Sequence, residues 1–372
     1  MPESLQPMER CLALARSALM LSNPNPRVGC VITTADGQIL GQGHTQQAGG
    51  PHAEIMALRD ATAAGHDVRG ATAYVTLEPC AHHGRTGPCC DALIAAGIGR
   101  VVASLEDPNP LVGGKGFARL RAAGVNVEIG PGAEESRALN IGFFSRMVRG
   151  TPWVRLKVAA SLDGTTALHN GASQWITSSI ARADGHAWRA RACAVLTGSG
   201  TVLADNPRLD VRELSTPRQP QAVVVDSRLQ TPPESRLFAT ARGVLIYSSL
   251  SEDPAFLQRK AALEACGASV VALPGPGGQV DLAKMLRHLG EHGINELHVE
   301  AGQRLNGALL RAGLVDELLL YLAPLLLGTG RGMTDLGPLE MLAQGQPLEF
   351  GAVERLGADL RILARPPGRA DF

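Results

Sequence analysis

The sequence predicts an α/β protein of two domains, and three observations carry that expectation. Apolar runs of strand length alternate with amphipathic runs of helix length, the pattern of sheets flanked by helices. The chain has 372 residues, more than one ordinary core accommodates, and 45% of them are hydrophobic, enough to fill two. Between Val148 and Pro152 an Arg-Gly-Thr-Pro stretch separates a charged helix end from a new strand. A first domain is therefore expected over 1–147, a linker over 148–151 and a second domain over 152–372.

The elements follow in order. Residues 8–20 place apolar side chains on one helical face. The turn Asn23-Pro-Asn-Pro26 leads to a strand over 28–33. Asp36-Gly37 suits a tight hairpin turn, and a second strand follows over 38–43. Pro51 suits a first helical turn, so a helix is expected from there to about Ala64. A strand over 73–77 runs into a cysteine-bearing loop, a helix near 90–96 and a strand over 101–104. Beyond the linker, strands are expected over 153–159, 193–197, 221–225, 243–247, 269–272, 296–300 and 317–322. Helices are expected over 178–191, 254–266, 281–291 and 303–312.

Composition excludes some functions. Lys plus Arg equals Asp plus Glu at 35 each, and aromatics are only 3%. Such a chain lacks the basic excess and stacking rings that nucleic acid or an anionic membrane would draw on. Its most apolar stretch, Leu314 to Leu327, is broken by Asp316, Glu317 and Pro324, so it does not read as a membrane span. The first seven residues carry acid and proline and do not resemble a secretory signal. Seven cysteines, an odd number, then point to free thiols and metal ligands in a reducing cytoplasm. Cys11, Cys30, Cys193 and Cys266 lie in apolar surroundings and are expected in cores.

The chemistry concentrates between residues 52 and 90. His52-Ala-Glu54, then Pro79-Cys80, then Cys89-Cys90 follow the order of zinc nucleobase deaminases. One imidazole and two thiolates give Zn²⁺ three protein ligands and leave a fourth position for water, whereas a structural site more often fills it with Cys or His. Glu54, a carboxylate outside the ligand set, is the candidate proton shuttle. Spacing alone lets either Cys89 or Cys90 ligate. Residues two apart point roughly 200° apart on an ideal helix, so His52 and Glu54 converge only near a helix start or through a bridging water.

Asn23-Pro-Asn-Pro26, Val28-Gly29-Cys30, His52-Ala-Glu54 and the run from Thr76 to Cys89 together resemble the RibD family, bifunctional deaminase–reductases of riboflavin biosynthesis. The eight-residue gap between the two thiols matches that family and departs from the two-residue gap of cytidine and tRNA deaminases. Ala81 and Gly87 stand where the family usually has Ser and often has Pro, and neither is a ligand. The resemblance implies a cytidine-deaminase-like zinc domain with His52, Cys80 and Cys89 as ligands and Glu54 as acid and base. It favours Cys89 over Cys90. It also implies that Asn25, His44, His82 and Arg85 contact a pyrimidinone ribosylamine 5′-phosphate, whose C2 amine is replaced by oxygen. Arg85 suits a phosphate and Asn25 a base edge.

The second half lacks a complete Gly-x-Gly-x-x-Gly fingerprint, because Leu203 stands where the third glycine after Gly198-Ser-Gly200 would be. Four of its stretches nevertheless resemble the reductase domain of the same family: 157–164, 173–177, 200–207 and 299–302. That implies a dihydrofolate-reductase-like fold using NADPH to convert the ribosyl ring to a ribityl chain. Ala159, Trp175, Thr201, Asp205, Ser227 and the turn Gly302, Gln303, Arg304, Leu305, Asn306 are implied cofactor contacts. Ser173, Arg189, Leu209, Arg212 and Glu300 are implied substrate contacts, with Arg189 and Arg212 against the 5′-phosphate. Lys157, Asp205 and Glu300 are the implied catalytic groups. Ser227-Arg228, after the strand 221–225, is a candidate seat for the NADPH 2′-phosphate.

The resulting expectation is a cytoplasmic enzyme that acts on a small molecule and has no nucleic-acid or membrane partner. A homo-oligomer, dimer or tetramer, stays open, with the apolar strand Leu318–Leu322 as a segment to pair or bury in it. The alternative is a nucleic-acid or nucleoside deaminase with an appended binding domain, which would need the basic stripe and aromatics that the composition lacks. A non-catalytic zinc module would leave Glu54 without a role.

Overall fold

A computed structural model describes residues 7–81 and 87–372, and the chain divides into two units, the first running to Gly150 and including Phe372, the second Thr151–Asp371. The first unit runs α1 (Pro7–Ser17), β1 (Gly29–Thr33), β2 (Ile39–His44), α2 (Ala53–Ala63), β3 (Thr72–Val75), α3 (Cys89–Ala95) and β4 (Arg100–Ala103). It continues with α4 (Lys115–Ala122), β5 (Asn126–Ile129), α5 (Ala133–Leu139) and α6 (Ile141–Arg149). Its sheet has the order β2-β1-β3-β4-β5. β1 is antiparallel to both neighbours, while β3, β4 and β5 are parallel.

The alternation in β1 explains the layers. Cys30 and Ile32 face one core with Ala53 and Ala57 of α2, Leu93 of α3 and Phe117 of α4. Val31 faces the other with Cys11, Leu12 and Ala15 of α1. Glycines let the helices ride directly on the sheet. A Cβ at Gly29 would overlap the Cys11 carbonyl, and one at Gly41 the Ala57 carbonyl.

The second unit runs β6 (Trp153–Ser161), β7 (Thr165–Leu168), α7 (Ser179–Arg191), β8 (Ala194–Gly198), α8 (Ser199–Asp205), β9 (Gln221–Val225), β10 (Val244–Ser248), α9 (Pro254–Ala265) and β11 (Ala268–Ala272). It ends with α10 (Leu282–Glu291), β12 (Glu296–Val299), α11 (Gln303–Arg311), β13 (Glu317–Ala323), β14 (Gly330–Gly332), β15 (Glu349–Leu356) and β16 (Asp359–Arg365). The main sheet has the order β11-β10-β9-β8-β12-β6-β13-β16-β15. The strands from β11 to β13 are parallel, and β16 and β15 add an antiparallel hairpin. Met285 and Leu289 of α10 and Leu309 of α11 cover one face. Val202 of α8 and Phe256 and Leu263 of α9 cover the other.

Covering both faces makes the strands largely apolar, and their buried charges pair with one another at the centre. Arg155 on β6 is 2% exposed and lies between Glu296, at 2.9 Å, and Glu317, at 2.6 Å. Arg191 and Arg365 supply the second partners of those carboxylates. A buried charge is tolerated here because every member is paired.

The structure departs from the sequence-based expectation at several points. Pro51 lies outside α2, because extended His52 forms its N-cap. The turn at Gly198-Ser-Gly200 opens the short helix α8. Cys266 is exposed, because it follows the last turn of α9 instead of facing the sheet. The strand containing Leu318–Leu322 is paired on both edges, with β6 and β16, so its backbone has no free edge for a second chain. No helix among the described residues is long and apolar enough to cross a membrane.

Candidate active sites

In the first unit, α2 and α3 start beside the loop that follows β3, and this brings the zinc-motif residues together. His52 has extended backbone (φ −76°, ψ 168°), and α2 begins only at Ala53. Helical spacing therefore does not apply between His52 and Glu54, and the two converge. Cys89 is the first residue of α3. The candidate ligand atoms of His52, Cys80 and Cys89 all lie within 4.8 Å of one another. His52 Nδ1 is 3.6 Å from Cys80 Sγ and 3.3 Å from Cys89 Sγ.

The electrostatics suit a cation. Hydrogen bonding with the Cys89 side chain pulls the Cys80 thiol down to about 4. The same bond, then burial, pushes Cys89 up. The hydrogen bond with Cys80 raises His52. An ion that displaces the shared proton meets one imidazole and two thiolates, the donor set that zinc prefers. Glu54 is 3% exposed, and burial pushes its carboxyl up to about 7, with the Cys80 charge adding to the shift. Its side chain hydrogen-bonds Cys89, so it borders the ligands.

Cys90 points elsewhere. It packs in the core with Leu93 and Phe117, and its sulfur lies 3.8 Å from Asp91 Oδ1. Cys90→Ser is therefore expected to leave the zinc content of purified protein unchanged. Cys89→Ser should weaken zinc binding by more than the ~10–100-fold typical of outer-sphere changes. Metal analysis after dialysis distinguishes the two, and equal loss would place Cys90 in the ligand set.

One residue of the support was not anticipated. The Glu78 carboxylate is buried and accepts backbone N–H bonds from Asp107 (3.0 Å), Gly114 (2.9 Å), Gly116 (2.7 Å) and Phe117 (3.2 Å). This ties Glu78-Pro79-Cys80 to the start of α4. Four donors offset the desolvation of a buried carboxylate. Asn25 is half-buried in the turn after α1, where its N–H donates to the Ser22 carbonyl at 2.8 Å. His44, at the end of β2, places Nδ1 3.1 Å from the Thr45 carbonyl. No hydrogen bond among the described residues joins Asn25 or His44 to the His52, Cys80 and Cys89 cluster. His82 and Arg85 lie outside the described residues.

In the second unit the candidate residues gather at the carboxyl ends of the parallel strands, the edge where open α/β sheets bind ligands. Glu300 follows β12. It accepts both Nε and Nη2 of Arg189, the latter at 2.9 Å, and lies 3.6 Å from Lys157 Nζ and 3.4 Å from His298 Nε2. Burial alone would raise its carboxyl, but Arg189 and Lys157 outweigh burial and hold it well below the usual range. Arg189 Nη1 also donates to the Asp210 carbonyl at 3.1 Å. Arg212 donates Nη1 to Asp210 Oδ1 at 2.6 Å and its backbone N–H to His186 Nδ1 at 3.3 Å. Burial, then Arg189 and Arg212, push His186 down to about 4, so it stays a neutral acceptor. Lys157, Arg189, Arg212 and Glu300 thus form one network, together with Asp210, His186 and His298, which the sequence did not single out. Leu209 is 3% exposed beside them.

The implied cofactor residues are spread more widely. α11 begins at Gln303 after Gly302 with no side-chain cap, leaving its first N–H groups for an anion such as a pyrophosphate. A Cβ on Gly302 would reach Thr201 Oγ1 at 3.8 Å, so Thr201 borders this turn. Arg304 is exposed there, and Leu305 packs near Gly198. Gln303 Oε1 accepts the Gly332 N–H at 2.9 Å. Asn306 is buried and donates to the Met333 carbonyl at 2.9 Å, which gives it a tethering role in the fold.

Ala159 is half-buried on β6. Ser173 and Trp175 lie between β7 and α7, and Trp175 is 66% exposed under the Arg182 guanidinium at 4.4 Å. Ser227 Oγ accepts the Val280 N–H at 3.2 Å, and Arg228 beside it is exposed. Asp205 is exposed at the end of α8, and no hydrogen bond or ion pair among the described residues links it to the Glu300 network. The uncapped, glycine-bordered start of α11 fits a dinucleotide phosphate.

Comparison with known proteins agrees across both units. Residues 1–105 match the family model of the cytidine and deoxycytidylate deaminase zinc-binding region. Residues 152–362 match that of the RibD C-terminal domain. The chain is 46% identical to riboflavin biosynthesis protein RibD of Escherichia coli (strain K12) over 366 residues, 95% of this chain and 96% of that one. It is 41% identical to RibD of Haemophilus influenzae, covering 97% of each. Among solved structures, Acinetobacter baumannii RibD matches with a TM-score of 0.86 at 40% identity, over 96% of this chain and 97% of that one. A diaminohydroxyphosphoribosylaminopyrimidine deaminase/5-amino-6-(5-phosphoribosylamino)uracil reductase from Thermotoga maritima matches with a TM-score of 0.85 at 34% identity, over 97% of each.

Proposed function

The chain belongs to the RibD family and is a bifunctional deaminase and reductase of riboflavin biosynthesis; on that premise we propose how its two units divide the chemistry. The first domain, 1–147, removes the C2 amine of 2,5-diamino-6-ribosylamino-4(3H)-pyrimidinone 5′-phosphate by hydrolysis. After a linker over 148–151, the second, 152–372, reduces the ribosyl group of the product to ribityl. The observation that carries the reading is the cluster of His52, Cys80 and Cys89 with buried Glu54 against it.

His52, Cys80 and Cys89 hold the zinc ion, which supplies Lewis acidity that brings the pKa of a water near ~7. Glu54 takes a proton from the attacking water and returns one to the departing amine, so that ammonia leaves. Asn25, His44, His82 and Arg85 orient the pyrimidinone and its phosphate. In the second domain, NADPH supplies the hydride. Ala159, Trp175, Thr201, Asp205, Ser227 and the Gly302–Asn306 turn hold it. Ser173, Leu209 and the Glu300 network hold the sugar, and Lys157, beside Glu300, handles a proton as the ring opens. We place the enzyme in the cytoplasm, acting on small molecules, with a homo-oligomer, dimer or tetramer, as its assembly.

A coupled assay on purified, zinc-analysed protein tests this. Ammonia should appear without NADPH, and NADPH oxidation should depend on the deaminated product. Ammonia without oxidation would remove the reductase assignment, and no ammonia from zinc-loaded protein would remove the deaminase assignment.

The dinucleotide preference tests the Ser227-Arg228 turn. Exposed Arg228 suits a 2′-phosphate, and one charge-assisted contact contributes roughly 1.5–3 kcal/mol. Arg228→Ala is expected to raise the NADPH KM by about tenfold or more and to change the NADH KM little. Equal changes in both would place the 2′-phosphate elsewhere.

A further inference from the structure

We propose that His298 is a positioning residue for reduction: from within the sheet it holds Glu300 Oε1 and fixes the carboxylate that faces Lys157. This rests on the reading that the second domain reduces a ribosylamine phosphate.

Strand alternation brings the two side chains together. Leu297 and Val299 of β12 face the core that contains Val154 and Leu156 of β6. Glu296, His298 and Glu300 therefore share the opposite face, beside Arg155 and Lys157. In the register His298 stands opposite Arg155, between two charged groups. On one side Arg155 is matched by Glu296 and Glu317. On the other, Glu300 is matched by Arg189 and Lys157.

The imidazole is 0% exposed. Its Nε2 lies 3.4 Å from Glu300 Oε1, off line for a full hydrogen bond, and neither ring nitrogen has another partner among the described residues. A buried N–H without an acceptor is costly, and the ionised Glu300 oxygen is the acceptor beside it. The ring proton therefore belongs on Nε2. Burial pushes the imidazole down; Glu300 opposes this, Arg155 and Arg189 add to it, and the ring stays neutral. A neutral donor holds the carboxylate without competing with Lys157 as another cation would.

Arg189 alone leaves freedom. It grips both Glu300 oxygens from α7, but guanidinium and carboxylate can swing together about the broad terminal torsion of a Glu side chain. The Glu300 backbone is fixed: its N–H donates to the Leu196 carbonyl at 2.8 Å, and its carbonyl accepts the Thr197 hydroxyl at 2.8 Å. His298, two residues earlier on the same strand face, ties the side chain to that fixed frame. One oxygen is anchored, and Oε2, 3.6 Å from Lys157 Nζ, stays aligned for the sugar. Contacts of this kind are often long until substrate fills a site, and the 3.4 Å approach leaves room to tighten.

The test measures kcat and KM for reduction of the deaminated intermediate by the full-length enzyme with NADPH, beside ammonia release and a melting curve. His298→Gln places an amide N–H near the position of Nε2. His298→Asn is too short to reach Glu300, and His298→Leu has no donor. The Asn and Leu variants should lower kcat about tenfold, part of the roughly hundredfold that a 1 Å misplacement costs, and change KM little. The Gln variant should recover most of that loss, and ammonia release should match the parent in all three. Unchanged kcat in the Asn and Leu variants overturns the proposal. So does an equal loss in the Gln variant, or a raised KM at constant kcat; in each case the reductase reading stands. If His298→Leu fails to fold, the two polar variants carry the comparison. A parent enzyme that oxidises no NADPH with the intermediate would overturn the reading, and the role of His298 with it.

Discussion

Glu54→Gln is expected to lower ammonia release by about 10²–10⁴-fold, the usual contribution of a positioned general acid or base. The amide fills the same space but can neither take a proton from water nor give one to the amine. Zinc should remain, because the candidate ligand atoms belong to His52, Cys80 and Cys89, and Glu54 only borders them. The fold should also tolerate the change, since a neutral amide is easier to bury than a carboxylate at a 3% exposed position. The same sample should reduce supplied deaminated intermediate at the parent rate. The measurement is ammonia release beside metal analysis and a reductase assay. Retained deamination would remove Glu54 from the mechanism. Loss of zinc would make it part of the metal's support instead.

That prediction was legible in the sequence because metal chemistry restricts residue types so strongly. Three soft or borderline donors and one spare carboxylate, in a fixed order, leave few other uses. The choice between Cys89 and Cys90 was legible only by resemblance. It depends on where α3 starts: Cys90 packs into the core, while Cys89 Sγ lies 3.3 Å from His52 Nδ1. Glu78 shows what local pattern hides, because its four backbone donors lie 29 to 39 residues downstream.

The parallel strands of the second unit were readable as apolar runs. α4, β5 and α5 were not expected, and of α6 only its charged end before the linker was: β5 has only four residues, and a single residue, Asn140, separates α5 from α6. β15 was missed as well, since it is exposed along most of its length and carries no burial signal. Charged strand residues mislead in the opposite way. Asp316 and Glu317 read as interruptions of an apolar run, yet Glu317 is a buried partner of Arg155 on the neighbouring strand. Pairing across strands, invisible to any local window, decides both cases.

Glu300 is such a case, and Glu300→Gln is expected to lower reduction by about two orders of magnitude, the scale that a misplacement of roughly 1 Å costs in a preorganised site. The variant keeps volume but removes the charge that Arg189 and Lys157 share. The new amide nitrogen, a donor, then faces the donors of Arg189, which must shift. Breaking a buried pair from one side costs about 3–5 kcal/mol, so the second domain should also melt earlier.

The pH dependence gives an independent sign. Glu300 is held well below the usual carboxylate range in the folded chain, against roughly 4.3 when unfolded. Its contribution is therefore complete above that unfolded value and is lost as pH falls through the folded one. Melting curves across acid pH should show a flatter acid limb in Glu300→Gln than in the parent. Ammonia release from the same protein should stay within about twofold, because the residues proposed for it all belong to the first domain. Full reduction by a folded Glu300→Gln protein would make the carboxylate a packing element only. Loss of ammonia release in step with reduction would show that the two activities are not independent.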